Sequence, residues 1–119
     1  MRRKIRWAAH TELTQMMDHF VTGDDCSHGK PSPEVFLKAL DKWNSENFHI
    51  KKEEALVFED SPLGIKAANN AGIPAILIPD GIVDVEKVLK EYDAHPLMII
   101  KSLDDFDFSK FKFGVCDNQ

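Results

Sequence analysis

The sequence predicts an α/β protein built on a Rossmann-like, mostly parallel sheet, and three observations predict it. Leu56, Val57 and Phe58, residues 74–78 and residues 97–100 are continuous apolar runs without polar alternation, as strands covered on both faces require. Stretches with apolar residues at helical spacing lie between these runs, so strand and helix alternate, and such alternation calls for βαβ units with right-handed crossovers. The first run ends in two carboxylates, Glu59 and Asp60, at the carboxyl end of a parallel strand, where open α/β sheets place their ligands.

In chain order, residues 1–9 give no clear element. Residues 9–20 carry Leu13, Met16, Met17 and Phe20 along one helix face. Phe20, Val21, Thr22 and Gly23 then read as a short strand, closed by the glycine and by Asp24 and Asp25. After a loop over 26–32, Ser32 and Pro33 open a helix with Glu34 in its first turn, where the dipole favours negative charge. Its apolar face is Val35, Phe36, Ala39, Leu40 and Trp43, and a polar connection over 44–54 leads to the strand at 56–58. Ser61 suits the N-cap of the next helix, Pro62 its first turn, and Gly72 a left-handed close. Beyond the strand at 74–78, Pro79, Asp80 and Gly81 make a turn. Val85, Val88, Leu89 and Tyr92 mark a short helix before the last strand at 97–100. The tail holds Leu103, Phe106, Phe108, Phe111 and Phe113 without periodicity and is expected to cover the sheet irregularly.

A length of 119 residues allows one small domain. The net charge of -5 excludes a nucleic-acid footprint, which needs a basic patch or stripe. No apolar run nears the roughly 20 residues of a membrane span, and the basic start is not followed by the apolar core of a signal peptide. A cytoplasmic protein that binds neither nucleic acid nor membrane is the expectation. Cys26 and Cys116 lie far apart and read as reduced thiols.

Three groups of residues can carry chemistry. Glu59 and Asp60 have the oxygen ligands that a hard cation such as Mg²⁺ takes, against the plainer reading of a capped turn. Lys30, between Gly29 and two prolines and just ahead of a helix start, can meet a phosphate, or can be a solvated lysine in a rigid loop. Cys26 and His28 lack an orienting third residue, so a loop role outweighs a nucleophilic one. His10, His19, His49 and His95 show no ligand spacing, and Asp104, Asp105 and Asp107 lack the glycine and regular spacing of a calcium loop.

Gly29-Lys30-Pro31, a following helix, and then Val57-Phe58-Glu59-Asp60-Ser61-Pro62-Leu63-Gly64 with Ala67-Ala68 and Ala71-Gly72 together resemble the haloacid dehalogenase superfamily of phosphohydrolases. Within it, Gly23-Asp24-Asp25, Pro79-Asp80-Gly81, the segment 102–106 and the Phe-rich ending are most similar to pseudouridine-5'-phosphatase and its relatives. The resemblance covers residues 10–114, with 115–119 a tail. It implies that Lys30 steadies the phosphate and the charged nucleophile, that Glu59 and Asp60 help hold Mg²⁺, and that Ser61 and Gly64 form the supporting turn. It also implies a small phosphomonoester as substrate, pseudouridine-5'-phosphate or one like it.

The family's first motif, an Asp-x-Asp pair at the end of the first strand, supplies nucleophile and general acid, and its second supplies a phosphate-binding Ser or Thr. Neither precedes Lys30 here. Asp105 and Asp107 have the spacing but follow the last strand, while Thr11 and Thr14 fall on the expected helix. The chain therefore reads as the carboxyl-terminal portion of such a core, over residues 1–119, without its first two strands and its cap. A phosphoryl transfer through an aspartyl intermediate needs its attacking atom, so the chain is expected to be inactive alone. Its unpaired strands are expected to weaken the fold and allow self-association. The rival expectation is a non-enzymatic truncated product that binds protein through that open edge.

Overall fold

The structure, a computed structural model, describes His19, residues 21–82, residues 84–107 and Ser109. Three parallel strands lie side by side in chain order: β1 (Val57–Glu59), β2 (Ala75–Leu77) and β3 (Met98–Ile99). Three helices accompany them, α1 (Glu34–Asn44), α2 (Pro62–Ala71) and α3 (Val85–Tyr92). With α2 joining β1 to β2 and α3 joining β2 to β3, the sheet consists of two consecutive βαβ units, the arrangement expected from the alternating pattern.

The register fixes which side chains share a face. Val57 pairs with Ala75, Phe58 with Ile76 and Glu59 with Leu77. Because strand side chains alternate, Val57, Glu59, Ala75 and Leu77 belong to one face and Phe58 and Ile76 to the other. The first face carries the main core, where Ala75 and Leu77 meet Ile65, Ala68, Leu89 and Ala94, with Phe36, Val57 and Val85 packed against them. On the other side, Phe58 and Phe106 meet edge-to-face with ring centroids 5.2 Å apart. The tail thus covers the sheet through Phe106, which is buried, while Leu103 is exposed.

Helix α2 approaches the strands closely because its inward residues are small. Pro62, Gly64, Ile65, Ala67, Ala68 and Ala71 are all buried. Its ends form as the sequence predicts. The Ser61 hydroxyl accepts a hydrogen bond from the Gly64 amide at 3.1 Å, and Gly72 closes the helix at φ 77°. Helix α3 is framed similarly, with Asp84 accepting from the Lys87 amide at 3.2 Å and Asp93 taking the left-handed close at φ 51°. Asp93 also fastens α2 to the end of α3. Its carboxylate is 2.7 Å from His95 Nε2 and 3.4 Å from Lys66 Nζ, while the Asn69 side chain accepts from the His95 amide at 2.7 Å and donates to its carbonyl at 3.0 Å.

The strand expected at 20–23 does not form over its described residues. Val21 and Thr22 belong to no strand, and Gly23–Asp25 is a 3₁₀ turn. The Asp25 carboxylate accepts from the Thr22 amide at 2.7 Å and from its hydroxyl at 3.2 Å, while the Asp25 amide donates to the Thr22 carbonyl at 3.0 Å. This local closure uses the donors that a sheet ladder would need. The Thr22 amide holds the Asp25 carboxyl below its ordinary range. The expected helix over 9–20 lies outside the described residues except at His19, as do Cys116, Phe108, Phe111 and Phe113. Among the described residues β1 has one strand neighbour, β2. Beside it, Phe36, Ala39, Leu40, Trp43, Leu56 and Val57 line an apolar groove of roughly 310 Å³.

Two measurements check this packing. Ile76 is fully buried, so Ile76→Ala is expected to cost about 2–5 kcal/mol, read as a lower urea midpoint at unchanged slope. The His95 contact first, and Lys66 second, hold the Asp93 carboxyl below its ordinary value. A depressed folded pKa gives stability that is present above the unfolded value, about 3.9, and is lost as pH falls through the folded one. A carbon-13 carboxyl titration is expected to find Asp93 low in the native chain and raised by either His95→Ala or Lys66→Ala.

Candidate active site

The end of β1 and the loop before α1 meet at one point. Lys30 Nζ forms an ion pair and hydrogen bond with Glu59 Oε2, across 29 positions of sequence. The Glu59 side chain is only 9 % exposed, whereas that of Lys30 is 37 % exposed, so the pair has one sheltered partner and one that reaches solvent. Lys30 also stands over the Phe36 ring, with Nζ 5.6 Å from its centroid, at cation–π distance.

Strand parity explains why Glu59 makes this contact. Glu59 is on the face of β1 that α2 covers, and its carboxylate lies against the first turn of that helix, with Oε1 3.5 Å from the Ser61 hydroxyl. Gly64 is what leaves room for it. A Cβ at that position would sit 2.6 Å from Glu59 Cγ and nearer still to Cδ and Oε1. Asp60, one residue past the strand, is exposed. The structure brings Lys30, Glu59, Ser61 and Gly64 together at the end of β1 and divides the acidic pair: Glu59 is turned to Lys30 and Asp60 to solvent. Among the described residues no three His, Cys, Asp or Glu side chains converge as metal ligands.

The Lys30 loop is tied down on both sides. Ahead of the lysine, Glu34 accepts from the Ser27 amide at 2.8 Å and the His28 amide at 3.1 Å. Lys38 reaches Glu34 Oε2 at 3.2 Å and also donates to the Asp25 carbonyl. The Ser27 amide chiefly, with Lys38 and the His28 amide, holds the Glu34 carboxyl below its ordinary range. After the lysine, Asn70 Nδ2 donates to the Pro31 carbonyl at 2.9 Å, and the Ser32 amide closes a turn on Gly29 at 2.9 Å. The Lys30–Pro31 peptide is cis. Sequence reasoning assigned Glu34 to its own helix dipole and did not single out Asn70. An acidic residue in a first turn fits either use, and its far partners have no sequence signature. Cys26 is half-buried in the loop, and His28 lies beside Glu34 at 3.6 Å, outside the Lys30–Glu59 contact.

Residues 3–78 match the haloacid dehalogenase-like hydrolase family. A Drosophila melanogaster protein named as a probable pseudouridine-5'-phosphatase is 34% identical over 111 residues, which cover 91% of this chain and 45% of that protein. The mitochondrial (DL)-glycerol-3-phosphatase 1 of Arabidopsis thaliana is 39% identical over 104 residues, covering 86% of this chain and 33% of that one. A solved structure named for beta-phosphoglucomutase, from Thermotoga maritima, superposes with a TM-score of 0.65 at 31% identity, over 85% of this chain and 44% of the other. The chain thus spans less than half the length of these relatives. Among its described residues no helix is long and apolar enough to cross a membrane.

The space at Gly64 gives a direct test. Gly64→Ala is expected to drive the Glu59 carboxylate from its seat and part it from Lys30. The stability loss is expected to be on the order of 1–3 kcal/mol, although alanine is the better helix former, and a denaturant titration reads its sign. A gain in stability would show that the seat is loose.

Proposed function

The chain belongs to the haloacid dehalogenase-like hydrolase family, and on that footing we propose that Lys30, Glu59 and Asp60 are the charge-balancing side of a site that hydrolyses a small phosphomonoester. The observation that carries the reading is the Lys30–Glu59 pair at the carboxyl end of β1, fixed on one side and open to solvent on the other. An ammonium so placed can meet a phosphate oxygen while its own charge stays balanced by the acid behind it. Glu59 orients the amine, and the Ser61 and Gly64 turn holds Glu59.

The donors present fit Mg²⁺ in part. That ion commonly takes one or two carboxylates and completes its shell with water and phosphate. Asp60 is the exposed carboxylate able to hold it, and Glu59 is committed to Lys30. When bound, Mg²⁺ would supply neutralising charge to the phosphate oxygens.

No Asp-x-Asp precedes Lys30, so on this reading the segment ahead of the lysine supplies neither the attacking carboxylate nor the general acid. We read residues 1–119 as part of a core domain that is inactive alone, and the natural setting as cytoplasmic. The substrate class follows the phosphatases it resembles, with pseudouridine-5'-phosphate as one candidate. The alternative, a non-enzymatic product that binds protein or a second copy through the side of β1 that has no strand neighbour among the described residues, is favoured by the apolar groove there.

The deciding assay is an aryl phosphate with Mg²⁺, and no turnover is expected. Turnover that Lys30→Ala abolishes would overturn the inactivity. Titration with inorganic phosphate and Mg²⁺ is expected to move the NMR signals of Lys30 and Asp60 in the native chain, and to move that of Asp60 less in Lys30→Ala. An unresponsive native chain that sediments as a dimer would favour the alternative.

A further inference from the structure

We propose that Glu34 is a positioning residue for Lys30, acting through the loop that carries the lysine. A carboxylate in a first helical turn ordinarily serves its own helix by facing the free amides there. Glu34 instead directs both oxygens to amides six and seven residues back, Oε1 to His28 at 3.1 Å and Oε2 to Ser27 at 2.8 Å. These are charge-assisted bonds in a two-point grip, stronger and more directional than a dipole interaction. Lys38 extends the grip by bridging Glu34 Oε2 and the Asp25 carbonyl.

The consequence reaches Lys30 because the loop is short. Glu34 holds residues 27 and 28, Asn70 holds Pro31, and the Gly29–Ser32 turn lies between. Lys30 is thus suspended between two anchors, one on α1 and one on α2. With Glu34 in place, its chain is aimed at Glu59 and over Phe36. Without it, the Asn70 anchor, the Gly29–Ser32 turn and the Lys38 bond to the Asp25 carbonyl remain, but residues 27 and 28 lose their side-chain grip and the amine gains freedom that weakens its contact with Glu59. Side chains held through backbone bonds of this kind lose precision before the domain loses its fold.

The charged groups facing Glu34 are Lys38 and, at 3.6 Å, His28. Asp25 lies beyond Lys38, which donates to its carbonyl. Among the described residues the Glu34 carboxylate meets Ser27, His28 and Lys38, all on the loop or on α1, so its titration reports the loop. The functional meaning rests on the phosphatase reading, while the positioning itself does not.

The test uses the full chain, Glu34→Gln and Glu34→Ala. In the native chain the Ser27 and His28 amide signals should titrate with a midpoint below the ordinary glutamate value of about 4.3, and the Lys30 amide should move with them. Glu34→Gln should abolish that titration, speed exchange at Ser27 and His28 by about tenfold and shift the Glu59 carboxyl carbon. A merely structural role would lower the unfolding midpoint and leave the Glu59 signal where it was, and that result overturns the proposal. Should both variants fail to fold, the native titration decides, and Lys30 signals that ignore the Glu34 midpoint overturn it. Added inorganic phosphate separates the two readings. A native Lys30 signal blind to phosphate rejects the phosphatase reading alone, while a phosphate response without coupling to Glu34 rejects positioning alone.

Discussion

The Lys30–Glu59 pair fastens the loop ahead of α1 to the end of β1, and the arrangement around it is consistent with keeping that contact. The acid is nearly buried and its partner is part-exposed, so the bond is neither a screened surface pair nor a fully desolvated one. A charge-assisted contact of this kind contributes on the order of 1–3 kcal/mol, and most of its value is geometric. It requires Glu59 to be on the α2 face of β1, which strand parity supplies. It also requires a helix start that can accept a carboxylate beside its first turn, which Ser61 and Gly64 supply.

Much of this was legible in the sequence because the signals are local. The Ser61 cap, the Gly72 close and the uninterrupted run at β2 each depend on a few adjacent residues, and the backbone conformations follow from them. As candidates, the five residues were legible as a set of motifs. Their division was not, since whether Glu59 or Asp60 faces Lys30 depends on the register of β1 and on which side α1 and α2 cover. The segment at 20–23 misled for a related reason. Apolar and β-branched residues before a glycine resemble a strand, but Asp25 captures the Thr22 donors within the turn, a competition that propensity does not weigh. Asn70 was invisible because its partner is the Pro31 carbonyl, which has no side-chain signature.

The core is uneven, and this bears on the site. Around α2 it is tight, built from alanines with Ile65 from the helix and Leu77 from β2, while Ile76 is fully buried on the opposite face of the sheet. Around α1 no residue is fully buried, although Phe36, Leu40 and Trp43 form a regular apolar face. Glu59 therefore stands on the firm part of the molecule and Lys30 on the less buried part. The anchors at Glu34 and Asn70 are polar bonds that compensate for packing α1 does not provide.

The missing side chain at position 64 has a consequence for how the sequence can vary. The room left there is occupied by the last two groups of the Glu59 side chain, so the length of one residue and the size of the other share a single volume. An aspartate at 59 would retract by one methylene, but its carboxyl carbon would stand at the γ position, 2.6 Å from an alanine Cβ at 64, and its oxygens would fall short of Lys30. A glutamate keeps its present seat only beside a glycine, because an alanine Cβ would displace its flexible end. Positions 59 and 64 are therefore not two independent sites of substitution but one, and a change at either alters which residues the other can accept.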